Sequence, residues 1–170
     1  MRAAALDAKS ARLILCGDEA TVEFYDLTEW KSAGMVALDR DADVRQAVAS
    51  AGTAWLATSD GRVLGVDSKR AAVRATLDVY GARERVDTEL DLSMSGRFLG
   101  IASVGGRVGN HRAVLRVFDV GGDVAKECSS AEVVLPGTVS AITLLEKEEA
   151  LVLSSRHPMV WYYGKEPAMK

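Results

Sequence analysis

Short apolar runs alternate with polar turn residues along the whole chain, a pattern that predicts strands rather than helices. Four segments each join an apolar run to a second strand that closes on Asp or Gly. These segments are Arg12–Asp26, Ala54–Asp67, Phe98–Asp119 and Ala150–Gly164. Their closing residues recur at intervals of about 40 to 50 residues, so the chain consists of a repeated unit.

A repeated unit of this length, built only from strands, is typical of a β-propeller blade. We therefore predict an all-β fold, a β-propeller-like array of four-stranded antiparallel blades within a single domain. The blades are expected at about 1–40, 41–80, 86–136 and 137–170. Because the fourth blade shows three strands and a ring must close, we expect a partial or open propeller, completed by further sequence or by another chain. A small closed ring is the alternative.

The fifteen predicted strands follow from these apolar runs and from turn signals such as Asp60-Gly61. They are Arg2–Leu6, Arg12–Cys16, Thr21–Leu27, Gly34–Asp39, Val44–Ser50, Ala54–Ser59, Arg62–Asp67, Ala71–Val79, Thr88–Ser93, Phe98–Val104, Arg112–Val120, Glu127–Leu135, Val139–Leu145, Ala150–Ser155 and Met159–Tyr163. Continuous apolar runs in three second strands, Leu13–Leu15, Trp55–Ala57 and Leu151–Leu153, predict strands that neighbouring blades cover on both faces.

Composition narrows the class of protein without naming its activity. The chain has 170 residues, 48% of them hydrophobic and 26% charged, which is typical of a globular protein. Its net charge of −3 does not indicate a nucleic-acid-binding surface, although a local basic patch is compatible with it. The two cysteines, Cys16 and Cys128, show no zinc-ligand spacing, and we expect Cys16 to be a buried, reduced thiol.

The repeats resemble those of WD-repeat β-propellers. Three third strands end in Tyr25-Asp26, Val66-Asp67 and Phe118-Asp119, at the place of that family's Trp-Asp dipeptide. Ser93–Gly96 is similar to the family's Ser-Pro-Asp-Gly turn. The chain departs from the family in having no true Trp-Asp and no Gly-His before an inner strand, so the family's buried His–Asp–Ser–Trp network cannot form in full. It also shows four units, whereas such propellers usually have seven or more.

A basic segment, Gly105–Arg116, is one candidate contact site. It carries Arg107, His111 and Arg112 without an acidic residue, and its glycines could bring backbone N–H groups to an anion. The next element is a strand rather than a helix, so the segment does not match a phosphate-binding loop. A solvated hairpin loop is the simpler interpretation. The alternative is a contact with an acidic protein surface or with RNA.

Aromatic residues supply the other candidate contacts. Trp55 lies in an apolar strand and is expected in the core. Trp30 falls in a loop, where it either anchors an interface or folds back over its blade. The last predicted strand would present bulky side chains to a missing blade or to a partner; its residues are Met159, Val160, Trp161, Tyr162 and Tyr163.

Catalysis is not expected. His111 and His157 have no nearby nucleophile motif, and we predict no cofactor. The repeated acids Asp26, Asp67 and Asp119 could suggest a metal site in each unit, but repetition with the period of the fold favours a turn-stabilising role, and we predict no metal.

These observations favour a non-catalytic protein–protein interaction scaffold, a propeller segment that docks within a larger assembly. An accessory subunit of an RNA-processing or RNA-modifying complex, in contact with RNA through 105–116, is the alternative. No apolar stretch approaches the length needed to cross a membrane, so no membrane contact is expected. Few cysteines favour an intracellular location, cytoplasmic or nuclear. The Ala-rich start with Arg2, Lys9 and Arg12 also resembles a transit peptide, which leaves a mitochondrial location open.

Overall fold

The computed structural model describes residues 2–18, 20–39, 42–79, 87–93, 95–105, 111–135, 139–145, 149–154 and 158–162. These residues form fifteen strands, and the described part contains no helix. The strands are β1 (Ala3–Asp7), β2 (Arg12–Cys16), β3 (Thr21–Asp26), β4 (Lys31–Ala37), β5 (Val44–Ser50), β6 (Thr53–Thr58), β7 (Arg62–Asp67), β8 (Ala72–Asp78), β9 (Asp87–Leu92), β10 (Phe98–Gly105), β11 (His111–Asp119), β12 (Lys126–Leu135), β13 (Val139–Leu145), β14 (Glu149–Ser154) and β15 (Pro158–Tyr162).

The strands form four antiparallel sheets in which sequence neighbours are also spatial neighbours. The first sheet is β1-β2-β3-β4, the second is β5-β6-β7-β8, the third is β9-β10-β11-β12, and the fourth is β13-β14-β15. Each sheet thus coincides with one predicted blade, and every predicted strand is present. The largest shift is in β4, which begins at Lys31 rather than at Gly34. A register irregularity between Phe24 and Tyr25 lets β4 pair with the end of β3, and the apolar pattern alone does not show this extension.

The chain divides into two compact units, residues 1–86 and 87–170. In the first unit, β1 of the first sheet lies beside β5 of the second sheet. Their facing side chains form one apolar core because strand residues alternate between two faces. The core includes Ile14, Phe24, Leu56 and Val66. The two sheets therefore pack face to face, as neighbouring blades do.

Strand β6 is buried along its whole length, as its continuous apolar run predicts. Trp55 is 1% exposed and packs over Gly65 of β7, where an added Cβ would lie 2.8 Å from the indole ring. Strand β2 differs: Ile14 and Cys16 are buried, whereas Leu13 and Leu15 are only half-buried. Among the described residues, β2 is therefore fully buried on one face only, the face that packs against the second sheet, and cover on its other face stays a prediction.

The second unit repeats the arrangement with the third and fourth sheets, where β9 and β10 lie beside β13. Gly100 of β10 leaves room for Leu144, whose Cδ2 atom would lie only 2.9 Å from a Cβ added at this glycine. A buried hydrogen bond of 3.1 Å joins the hydroxyl groups of Thr88 and Ser103 within the third sheet. The contact between sheets again depends on small and branched residues on the inner strands.

Candidate interaction surfaces

The repeated aspartates at strand ends hold the following turns. The Oδ1 atom of Asp26 accepts hydrogen bonds from the backbone N–H groups two and three residues later, at 2.8 and 3.2 Å. Asp67 does the same at 2.8 and 3.0 Å, and Asp119 accepts from the N–H of Gly121 at 3.0 Å. The predicted turn-stabilising role is confirmed for all three, because a short carboxylate satisfies N–H groups that the strand ladder leaves unpaired.

Two of these turns, those after Asp26 and Asp67, and the turn after Asp7 each place a residue that carries a side chain in the left-handed region. Ala11, Trp30 and Ala71 each lie four residues after a strand-ending Asp and have φ values of 49°, 51° and 48°. This conformation disfavours residues that carry a Cβ, and glycine adopts it freely. Each of these three turns is therefore strained at one defined position. Asp7 resembles Asp26 and Asp67 because its Oδ1 atom also accepts hydrogen bonds from the backbone N–H groups two and three residues later.

Asp7 also joins the first sheet to the second. Its buried carboxylate accepts hydrogen bonds from the backbone N–H groups of Ala51 at 3.2 Å and Gly52 at 2.6 Å, in the β5–β6 turn. Burial would raise the pKa of Asp7, but the bonds from the Ser10 hydroxyl and the Gly52 amide outweigh this effect and lower the pKa. The carboxylate is therefore ionised at neutral pH and fixes the two turns together.

Ser68 extends this link to a third turn. Its backbone N–H and its hydroxyl both donate to the carbonyl oxygen of Gly52, at 2.9 and 3.0 Å. The β1–β2, β5–β6 and β7–β8 turns, which we call the linked turns, are thus held by direct hydrogen bonds. One edge of the first unit is therefore a connected surface contributed by two sheets.

Asp91 of β9 makes the corresponding connection between sheets in the second unit, but its pKa shifts in the opposite direction to that of Asp7. Its Oδ2 atom accepts from the N–H of Leu144 in β13 at 2.9 Å. Burial raises the pKa of Asp91, and the amide bonds offset this effect only in part. The charged form of Asp91 is therefore disfavoured, in contrast to that of Asp7, whose carboxylate has more hydrogen-bond donors around it.

The face of the first sheet that points away from the second is apolar, and among the described residues of the first unit no other sheet covers it. Strand register places Leu6, Leu13 and Tyr25 side by side on this face, followed by Leu15, Glu23 and Met35. Leu6 is 58% exposed and Met35 is 63% exposed. We call this surface the open face. It has the composition of a sheet interface because alternate residues of β1, β2 and β4 on this side are apolar.

Trp30 lies in the β3–β4 turn and is 82% exposed. Of the two predicted alternatives, the structure shows the exposed one, in which the indole does not fold back over its sheet. The residue combines a solvent-exposed aromatic ring with a backbone conformation that favours glycine. Strain of this kind is often kept at contact sites, so Trp30 stays a candidate anchor.

The predicted basic segment is described only in part. His111 and Arg112 begin β11, with their backbones paired to Leu135 and Val134, so the strand starts one residue before the predicted start at Arg112. Arg107 and the side chains of His111 and Arg112 lie outside the described part. Arg116 is half-buried in β11 and its guanidinium lies 3.8 Å from Glu127. The RNA contact stays a prediction.

The last predicted strand is present as β15, at the edge of the fourth sheet in the described part. Val160 is exposed, and its backbone pairs with that of Leu151 in β14. The side chains of Met159, Trp161 and Tyr162, and Tyr163 as a whole, lie outside the described residues. Their role as a contact surface stays a prediction.

Cys16 is fully buried at the end of β2, as predicted, and Cys128 is an exposed free thiol. Burial raises the pKa of Cys16 to about 11, so the thiol is protonated at neutral pH and is not a reactive nucleophile. Among the residues that the structure describes, no group of three or more His, Cys, Asp or Glu is arranged to hold a metal ion. The same residues include no helix that could span a membrane.

Comparison with known proteins shows the fold. The match with the computationally designed Ika4 protein includes 96% of this chain and 91% of the Ika4 chain, with a TM-score of 0.69 and 13% sequence identity. BamB from Moraxella catarrhalis, a β-propeller, matches with a TM-score of 0.67 and 11% identity. The designed Ika8 protein gives 0.67 and 12%. The chain therefore has a β-propeller-like fold.

The lengths of these proteins differ. The matches with BamB and Ika8 each include 95% of this chain, but only 50% of the BamB chain and 45% of the Ika8 chain. This chain thus spans about half of two longer chains and nearly all of Ika4. No protein-family model and no curated protein matches the sequence. The WD-repeat resemblance stays a prediction.

Proposed function

We propose that this chain is a non-catalytic protein-interaction scaffold that docks through the open face of its first sheet. The open face carries the proposal. It presents Leu6 and Met35 to solvent on a sheet whose opposite face is packed in the usual way. An apolar sheet face left in water is unfavourable and marks a contact with a further layer.

The expected occupant is another antiparallel blade. Within each unit, the first strand of one sheet lies beside the first strand of the next, β1 beside β5 and β9 beside β13. The open face extends over the same inner strand β1 and its neighbour β2, so it suits a partner of the same construction. The match to about half of two longer propeller-like chains supports this choice, since the aligned part belongs to a longer chain there.

Trp30 and β15 are secondary contacts in this proposal. The exposed indole of Trp30 suits an interface anchor because a rigid aromatic ring covers a large area at low entropic cost. Strand β15 offers an edge to which an extended segment of a partner could add by β-augmentation.

The proposal is tested by placing charge on the open face. Leu6→Lys combined with Met35→Lys should abolish self-association, or capture of a blade-containing partner, measured by light scattering after size-exclusion chromatography and by cross-linking. Both side chains are exposed, so folding should be retained. Val124→Lys is the matched control because Val124 is 80% exposed in the β11–β12 connection, outside the open face.

The result that contradicts the proposal is equally clear. The open face has no docking role if the wild-type chain stays a monodisperse monomer at all concentrations and captures only partners that the double variant captures too. Equal behaviour of the double variant and the Val124→Lys control would lead to the same conclusion.

A further inference from the structure

A cavity of about 330 Å³ lies among the linked turns of the first unit. Its lining comes from two sheets, and the residues are Lys9, Ser10, Arg12, Ala51, Gly52 and Lys69. Three of these six residues are cationic and none is acidic. The remaining three are small, so long basic side chains surround an open space. This composition indicates a site for an anion rather than for an apolar group.

The nearest acids are already occupied by hydrogen bonds. Asp7 accepts from the amides of Lys9, Ala51 and Gly52, among others. Asp26 uses Oδ1 on its own turn and has Oδ2 3.3 Å from the Nη2 atom of Arg12. Asp67, a third acid, uses Oδ1 for the amides of Lys69 and Arg70 in its own turn. These carboxylates reduce the positive potential of the cavity, but none of them lines the space.

Arg12 is compensated on one side only. Its Nη2 atom faces Asp26, whereas its Nη1 atom is buried and has no hydrogen-bond acceptor among the described residues. A buried donor without an acceptor is unfavourable, and a guanidinium in this state adds to the positive potential of its surroundings. Arg12 is half-buried, whereas the other two cations of the lining, Lys9 and Lys69, are exposed.

The cavity is also preorganised. Asp7 fixes the β1–β2 turn to the β5–β6 turn, and Ser68 fixes the β7–β8 turn to the same Gly52. Lys9 lies in the β1–β2 turn and Lys69 in the β7–β8 turn, and both turns are held by these hydrogen bonds. An anion would therefore not have to order the turns on binding. Preorganisation of this kind favours a specific site over diffuse attraction to surface charge.

We infer that this cavity binds a small, multiply charged oxyanion of the phosphate type, either as free phosphate or as the phosphoryl group of a larger ligand. Two ammonium groups and one guanidinium would donate to its oxygen atoms. The inference does not depend on the scaffold role, because it concerns a different surface of the first unit and a different class of ligand.

The test is a titration of the whole chain followed by amide chemical shifts at neutral pH. Inorganic phosphate should give saturable shifts at Lys9, Ser10, Gly52 and Lys69, whereas sodium chloride at equal ionic strength should not. O-phosphoserine, titrated in the same way, shows whether a phosphomonoester is accepted as well as the free anion. Saturation with either probe supports the site, and the order of their affinities identifies the source.

Charge removal makes the test specific. Lys69→Gln and Lys9→Gln should each weaken phosphate binding about tenfold, since each removes one charge-assisted hydrogen bond. Lys31→Gln is the matched control: Lys31 is an exposed lysine of β4 in the same unit, pairs with Glu29 and does not line the cavity. Shifts that follow ionic strength alone, or equal affinities for Lys69→Gln and the control, would overturn the inference.

Discussion

The first and second sheets are built alike and differ in what covers them. Both are four-stranded meanders whose second strand is an apolar run, Leu13–Leu15 in one and Trp55–Ala57 in the other. In the second sheet this strand is buried on both faces, whereas in the first sheet only Ile14 and Cys16 are buried. The difference teaches that an apolar run indicates that both faces of a strand can be buried. It does not show that this chain itself buries both.

The open face therefore has a plain physical meaning. A sheet with one wet face normally alternates between apolar and polar residues, as the outer strand β8 does. Strand β2 instead carries Leu13 and Leu15 on the open face and the buried Ile14 and Cys16 on the packed face, so both of its faces are apolar. Apolar residues on the open face gain stability only when a further layer covers them, so the first sheet is suited to a contact with such a layer.

The largest effect expected from this comparison is in the second sheet. Trp55→Ala should lower the free energy of unfolding by about 3–5 kcal/mol, because it leaves a cavity beside Gly65 in a fully buried strand. Leu6→Ala on the open face should cost about 0.5 kcal/mol or less. Urea unfolding measures both, and similar losses for the two variants would mean that the open face is covered in solution.

A smaller effect is expected at the hydrogen bonds that join the two sheets. Asp7→Asn should cost about 2 kcal/mol at neutral pH, since charge-assisted bonds to the β5–β6 turn are weakened. The pKa of Asp7 is lower in the folded state than its ordinary value, so its stabilising effect is present above that value and is lost as the pH falls through the folded pKa.

The pH dependence separates this role from a general effect of substitution. Unfolding of wild-type protein and Asp7→Asn should differ most at neutral pH and converge as the pH falls through the lowered pKa of Asp7 in the folded state. Asp123→Asn, at an exposed turn residue in the second unit, is the control and should change little. A constant difference between wild type and Asp7→Asn across the pH range would show that the carboxylate charge is not what links the sheets.

The smallest expected effect is a gain in stability at Trp30. Trp30→Gly should stabilise the chain by about 1 kcal/mol or less, because glycine adopts the left-handed conformation without strain. Trp30→Ala keeps the strain and should bring no gain. If Trp30 anchors a partner, both variants should lose partner capture, although only Trp30→Gly is stabilised. Cross-linking measures the capture, and thermal unfolding measures the stability. Equal stability of the two variants would contradict the strain.

Local sequence patterns were sufficient for the strands and their order. Alternation, turn residues such as Asp60-Gly61 and the spacing of Asp26, Asp67 and Asp119 each reflect interactions between near neighbours in the chain, which a linear sequence records directly. The start of β4 was missed because a register irregularity, not an apolar pattern, extends its pairing with β3.

The candidate sites needed the tertiary structure. The sequence alone determined that this protein is an all-β array of antiparallel units with turns fixed by aspartate, because those features depend on residues a few positions apart. Only the tertiary structure decided that Leu6 and Met35 share an uncovered face, and that Lys9, Arg12 and Lys69 surround one cavity. These residues meet through strand register and through Asp7, whose bonds reach 44 and 45 residues along the chain, and no local pattern encodes such distant contacts.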